Sequence, residues 1–227
     1  MSTPRGRTDR ATAEPTNEPT NESDGPTEPS AVVYLVRHGQ TALNAGGRLR
    51  GLLDPPLDQE GERQVQMLGA AFAELRRRPR RVVAGPLTRT QQTAGAIARA
   101  LGLEVLTDER LVDRDYGPWT GEPADQVRAQ YGPGLVDLPG AEPVAQVVRR
   151  ARAALDAQAS DLAGPVVLVA HDAVNSHLLA ALDPALGAAH DITQDTACWN
   201  RLERTPSGWR AIVVNGHAGT LHDGPCE

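Results

Sequence analysis

The sequence predicts an α/β protein with a mainly parallel central sheet and a C-terminal β-hairpin, and three observations carry that prediction. Short apolar runs rich in branched residues recur at 32–36, 82–84 and 166–169, the pattern of strands covered on both faces, with a further strand at 104–106. Between them apolar residues return at helical spacing, so strand and helix alternate as they do around a parallel sheet. At the end of the chain, residues 196–214 alternate about Pro206-Ser207-Gly208, which reads as a hairpin.

Taken in order, residues 1–30 carry the near-repeat EPTNEPTNES and almost nothing apolar. Such a segment cannot bury enough surface to offset its ordering entropy and is read as a disordered tail. Residues 31–218 form the folded domain, and 219–227 are expected to fray. The opening strand runs into RHGQTALN, residues 37–44. In an open α/β sheet ligands bind beyond the carboxyl ends of the strands, so Arg37 and His38 there suggest an anion site, with Gly39 letting the backbone approach the ligand. A loop containing Arg48, Gly51 and Pro55-Pro56 precedes a helix that opens at Asp58 and carries Val65, Leu68, Phe72 and Leu75 on one face. The run RRRPRR, 76–81, is read as arginines favoured at a helix C-terminus rather than as a binding patch. Strand 82–84 ends in GPLTRTQQT, which places Arg89 in the first turn of a helix continuing through Ile97 and Leu101. Strand 104–106 leads to DERLVDRDYGPWTG, residues 108–121, dense in acids. The helix at 142–162 presents Val144, Val148, Ala151, Leu155 and Leu162. Strand 166–169 ends at His171, ahead of a helix bearing Val174, Leu178 and Leu182, which repeats the arrangement of His38. His177 reads as a packing or surface residue, and His190, His217 and His222 have no motif around them.

Composition narrows the chemistry. The net charge of the 227 residues is −6, and the first thirty hold 3 Arg against 6 Asp and Glu, so the remainder is near neutral. Binding to nucleic acid or to an anionic membrane through global charge is therefore not expected. All 23 basic residues are arginine, which excludes Schiff-base chemistry, a P-loop lysine and a lysine base. Cys198 and Cys226 match no zinc or redox spacing. No apolar run reaches membrane-spanning length and no signal-peptide core is present, so a cytoplasmic protein is expected. If the four strands lie side by side, Arg37, His38, Arg89 and His171 converge at one end of the sheet. Two guanidiniums and two imidazoles suit a phosphoryl group, whose transfer spreads charge over three oxygens that need fixed positive partners. Since no Asp/Glu cluster has metal-ligand spacing, the cations must do what a metal would otherwise do, and no cofactor is called for. An imidazole can attack phosphorus directly, and the acid-rich 108–121 loop is the obvious source of a proton for the leaving oxygen.

Arg37-His38-Gly39 after an apolar strand, Asn44 and Arg48 behind it, Pro86-Leu87-x-Arg89-Thr90, Gly117-x-Trp119-x-Gly121 and His171 after Val-Leu-Val-Ala together resemble the histidine phosphatase superfamily, in its phosphoglycerate mutase-like branch. The resemblance spans about residues 31–216. It implies a three-layer α/β/α fold, no metal and a phosphohistidine intermediate. It also implies that His38 is the nucleophile, Arg37 and Arg89 the phosphate-binding arginines, His171 the second pocket histidine and Asn44 a further phosphate contact. The general acid falls at Asp113, where the family usually has Glu, with Asp115 as the rival. Gln40 stands where Glu is frequent, Gly85 where Ser usually precedes the proline, and Ser176 near a position often held by Arg. Asp172 replaces a common glycine and would repel an anion unless it turns away or pairs with an arginine. The expected partner is a small phosphomonoester. The short 122–141 segment, with Arg128 as its single arginine, favours a phosphatase over a cofactor-dependent mutase. A non-catalytic phospho-ligand module is the reading from a different class, and its signature, loss of the nucleophile or an arginine, is absent.

Overall fold

The computed structural model describes Met1, residues 30–160 and residues 164–222. Six strands form one sheet in the order β3-β2-β4-β1-β5-β6. They are β1 (Ala31–Arg37), β2 (Arg81–Ala84), β3 (Val105–Thr107), β4 (Val166–Ala170), β5 (Trp199–Thr205) and β6 (Gly208–Gly216). The first four pair in parallel, while β5 joins β1 and β6 joins β5 antiparallel, so the terminal hairpin completes a mainly parallel sheet. The expected third strand is displaced by one residue, and the expected tail lies outside the described residues apart from Met1 and Ser30.

Side chains alternate between the two faces of each strand and thereby build two cores. On one face Val32, Tyr34, Val36, Val82, Ala84, Val167 and Val169 meet helices α2 (Gln59–Glu74) and α3 (Thr88–Leu101) through Val65, Leu68, Phe72, Ala94 and Ile97. On the other, Val33, Leu35, Val83, Val166, Leu168 and Ala170 meet α5 (Val144–Ala159) and α6 (Asp172–Leu182). That is the three-layer arrangement. Asp58 caps α2 by accepting from the Gly61 amide at 2.8 Å. Because α2 ends at Glu74, the arginines of 76–81 follow the helix instead of occupying its last turn. In α5 the fully buried side chains are Val147, Ala151, Ala154 and Leu155, one step round from the expected face, while Leu162 lies outside the described residues.

Two helices were not legible in the sequence: α1 (Ala42–Ala45) and α4 (Ala124–Tyr131). The second belongs to a small cap whose own core is Leu49, Ala124, Val127, Leu135 and Leu138. Buried Arg114 ties the cap down by donating to the carbonyls of Leu135 at 2.8 Å and Glu142 at 2.9 Å. Beyond Gly216, where fraying is expected, residues as far as His222 are described. Ala218–Thr220 make a 3-10 turn, Ala218 and Leu221 pack on the first core, and the Trp199 indole donates to the His217 carbonyl at 2.9 Å. Residues 223–227 lie outside the described set. Among the described residues, no helix is long and apolar enough to cross a membrane.

Candidate active site

The level ends of β1, β4 and β2 bring the polar residues together. Arg37 pairs with Ala170 across β1 and β4, and Ala84 pairs with Val169 across β2 and β4, so the turns after all three strands open at one height. The His38 amide continues the ladder by donating to the Ala170 carbonyl at 3.2 Å. His38 and His171 are both fully buried, with ring centroids 5.1 Å apart. Gly39 is required by packing. A Cβ there would lie 2.8 Å from Val65 Cγ1 and 2.9 Å from the Gly61 carbonyl, and a Cβ on Gly61 would in turn strike the Gln40 backbone. Two glycines thus let the turn after β1 rest on the first turn of α2.

The tautomer of His38 follows from one contact. Its Nδ1 lies 2.7 Å from the Gly39 carbonyl oxygen, which can only accept, so Nδ1 carries the hydrogen and Nε2 keeps its lone pair. That Nε2 is buried without a hydrogen-bond partner, as are both ring nitrogens of His171. Burial holds the basicity of both rings well below the ordinary histidine value, helped at His38 by the His171 imidazole and then arginines, and at His171 by arginines, Arg89 first. Both are therefore neutral near pH 7.

Arg37 donates to the Gln194 carbonyl and lies 3.8 Å from Asp172, so the carboxylate at 172 does pair with an arginine. Beneath it, Gln194 is itself fixed by Asn200, whose Nδ2 reaches Gln194 Oε1 at 2.9 Å and whose Oδ1 accepts from Gln194 Nε2 at 2.8 Å. Arg89, fully buried, donates to the carbonyls of Leu53 at 2.6 Å and Gly51 at 3.0 Å and pairs with Asp113 at 3.0 Å. The Nε atoms of Arg37 and Arg89 have no partner, nor does Nδ2 of Asn44, whose Oδ1 is occupied in capping α1 through Thr41. The structure thus brings together Arg37, His38, Arg89, Asp113 and His171, and leaves Asn44 with a free donor.

It separates the two aspartates of the acidic loop. Asp113 is 2 % exposed, and its Oδ2 faces Arg89 at 3.0 Å and His171 Nδ1 at 3.6 Å. Asp115 is exposed and accepts from the Gly117 amide at 2.8 Å, closing a turn. Arg150 of α5 holds the loop by donating to the carbonyls of Arg110, Val112 and Asp113 while paired with Glu142 at 2.9 Å. Gly85 admits the loop from the other side, since a Cβ there would stand 2.6 Å from the Leu111 carbonyl. Sequence reasoning missed Arg50, whose charge bears on His38, His171, Arg37 and Arg89. Its position after Arg48 and before Gly51, in the loop that supplies two carbonyls to Arg89, was the available signal. Among the described residues no three His, Cys, Asp or Glu side chains are grouped to hold a metal ion.

Comparison with known proteins adds three likenesses and a family. A family model described as histidine phosphatase superfamily (branch 1) matches residues 33–216. The chain is 34 % identical over 224 residues to "Bifunctional protein Rv2228c" of Mycobacterium tuberculosis, covering 93 % of this chain and 60 % of that one. It thus spans about three-fifths of the length of the first curated relatives it matches. To "Probable phosphoglycerate mutase GpmB" of Yersinia enterocolitica it is 34 % identical over 206 residues, covering 84 % of this chain and 94 % of that protein. Among solved structures, mycobacterial glucosyl-3-phosphoglycerate phosphatase Rv2419c complexed with VO3 superposes with a TM-score of 0.71 at 30 % identity, covering 82 % of this chain and 99 % of that one.

Proposed function

The chain belongs to the histidine phosphatase superfamily, and on that premise we propose that it hydrolyses a small phosphomonoester through a phosphohistidine on His38, without a metal ion. The observation that carries the reading is the His38 ring itself: neutral, its tautomer set by the Gly39 carbonyl, with an unpartnered Nε2 between buried cations. A phosphoryl dianion docks on the free Nε donors of Arg37 and Arg89 and on Asn44 Nδ2, with His171 beside it. His38 Nε2 attacks phosphorus in line as the ester oxygen departs, forming an N–P bond and breaking the O–P bond. As Arg89 turns from Asp113 to the substrate, the freed carboxylate takes up a proton from solvent and gives it to the leaving oxygen. The same carboxylate then takes a proton from the water that hydrolyses the phosphohistidine, returning free imidazole and inorganic phosphate. Four guanidiniums whose charges bear on His38 or His171 supply the electrostatic work that other phosphoryl-transfer sites assign to a metal. The scarcity of cysteine suits the cytoplasm, which we take as the place of action.

The test is hydrolysis of p-nitrophenyl phosphate by the full chain in excess chelator, with His38→Ala alongside. Rapid quenching should trap an acid-labile, base-stable phosphoenzyme that the variant lacks. Turnover that disappears with chelator, or survives in His38→Ala, overturns the reading. Conversion of 3-phosphoglycerate that needs a bisphosphate primer, without net phosphate release, would replace the phosphatase with a mutase.

A further inference from the structure

Arg37 is gripped by a turn 157 residues further along the chain. Residues 194–198, just ahead of β5, fold over the end of β1 and meet Arg37 and His38 at three points. The Cys198 carbonyl accepts from the Arg37 amide at 3.0 Å, the Ala197 amide donates to the His38 carbonyl at 3.0 Å, and the Gln194 carbonyl accepts from the Arg37 guanidinium. Among the described residues that last contact is the only hydrogen bond of the Arg37 side chain, since Asp172 stands off at 3.8 Å and Nε has no partner. The direction of the guanidinium is therefore set by one backbone oxygen. Ala197 closes the turn at φ 57°, a conformation that a non-glycine residue keeps only where its surroundings impose it. Asn215 supplies part of that support, its Oδ1 accepting from the Asp195 amide at 2.7 Å and its Nδ2 donating to Asp195 Oδ2 at 2.9 Å.

The side chain of Gln194 supplies the rest. The residue is 5 % exposed, and both ends of its amide are bound. Oε1 accepts from Asn200 Nδ2 at 2.9 Å and from Asn175 Nδ2 at 3.3 Å, while Nε2 donates to Asn200 Oδ1 at 2.8 Å and to the Thr193 carbonyl at 3.0 Å. Asn200 stands beside Leu35 where β5 pairs with β1 and donates to its carbonyl at 2.8 Å. Asn175 lies one turn into α6, its backbone amide bound to the His171 carbonyl at 2.8 Å. The Gln194 amide thus joins β1, β5 and the helix that follows His171. An apolar side chain of similar length would fill the same space without fixing an orientation, whereas a reciprocally bonded amide fixes one. We propose that Gln194 is a positioning residue for phosphate binding: its side chain locks the 194–198 turn, and its carbonyl aims the Arg37 guanidinium so that Nε meets the phosphoryl group. This inference rests on the reading above of Arg37 as a phosphate ligand.

The test uses Gln194→Met in the full chain, with inorganic phosphate as the probe in calorimetric titration and p-nitrophenyl phosphate in steady-state kinetics. The substitution keeps the length of the side chain and leaves Asn200 two other partners, the Leu35 carbonyl and the Asn215 amide, which donates to its Oδ1 at 3.0 Å. The dissociation constant of phosphate and KM should both rise by about tenfold, the order of one charge-assisted hydrogen bond. A purely structural role would move different quantities: the stoichiometry of binding and kcat would fall with the folded fraction, while the dissociation constant and KM stayed as they were. That pattern, or constants within about twofold of the wild type, overturns the proposal. Should Gln194→Met fail to melt cooperatively, Gln194→Asn, which keeps an amide one methylene short of Asn200, should raise the same two constants, and unchanged constants there overturn the proposal equally. Titration needs no turnover, so a wild type that binds phosphate without hydrolysing p-nitrophenyl phosphate overturns the phosphatase reading alone and leaves Gln194 to be judged by the dissociation constants. A wild type that does neither overturns both.

Discussion

Asp113→Ala is expected to lower kcat by about 10²–10⁴ on an alkyl phosphate, whose leaving oxygen needs a proton, and by far less on p-nitrophenyl phosphate, whose leaving group does not. Asp115→Ala should leave both rates within about threefold, because its carboxylate closes a turn on the surface instead of facing Arg89. Steady-state kinetics on the two substrates checks the pair, and equal losses would reassign the acid. Removing Arg89 is a different matter. Arg89→Ala leaves Asp113 as a buried carboxylate without its cation and strips three contacts from the centre, so stability should fall by about 3–5 kcal/mol along with activity. Urea denaturation measures that loss. The pH dependence follows from His38 and His171. Burial and surrounding arginines hold both neutral well below the usual histidine titration, so kcat/KM should stay level as pH falls through 6.5 and decline only in more acidic buffer. A drop centred near pH 6.5 would mean that the nucleophile is solvated.

At the scale of elements, the turn after β1 and the first turn of α2 are one packing unit. Gly39→Ala should cost about 1–3 kcal/mol by driving a methyl into Val65 and the Gly61 carbonyl, and thermal melting reads that loss directly. The sequence shows why some elements were legible and others not. Strands β1, β2 and β4 are covered by helices on both faces, so their buried stretches are apolar and end abruptly at Arg37, Gly85 and His171; burial and chemistry share one boundary. Helix α1 has four residues and stands on the Thr41–Asn44 capping box, too short to show a period. Helix α4 buries only Ala124 and Val127, against a cap whose core comes from distant loops, so its own pattern carries little signal. In α5 the face is one step round from the expected one because Val147 and Ala154 are fully buried while Val144 and Val148 are only partly so, and an alanine gives little pattern to read. Arg50 escaped for a related reason. Nothing in GRLRG distinguishes an arginine that donates to a neighbouring carbonyl, as Arg48 does, from one left facing a cleft.

For the molecule as a whole, three histidines held neutral by burial make acid the sensitive direction. The unfolded chain takes up protons near pH 6.5 while the folded rings at 38, 171 and 177 do not, the last being pushed down to about 4. Folding stability is therefore fully present above pH 6.5 and is lost progressively below it, each such histidine adding at most about 1.4 kcal/mol per pH unit. Melting temperature should drop between pH 7 and 5, and His177→Asn should flatten the slope without touching the phosphoryl site. The order of strands in the sheet bears on synthesis as well. Strand β1 lies between β4 and β5, whose residues pair with partners more than 130 positions earlier in β1, so the segment bearing Arg37 and His38 leaves the ribosome long before either neighbour exists. Until Val166–Ala170 and Trp199–Thr205 have emerged, the valines of β1 have no sheet to enter and the imidazoles no common floor. Such long-range pairing slows folding, and it makes catalytic competence one of the last properties the nascent chain acquires.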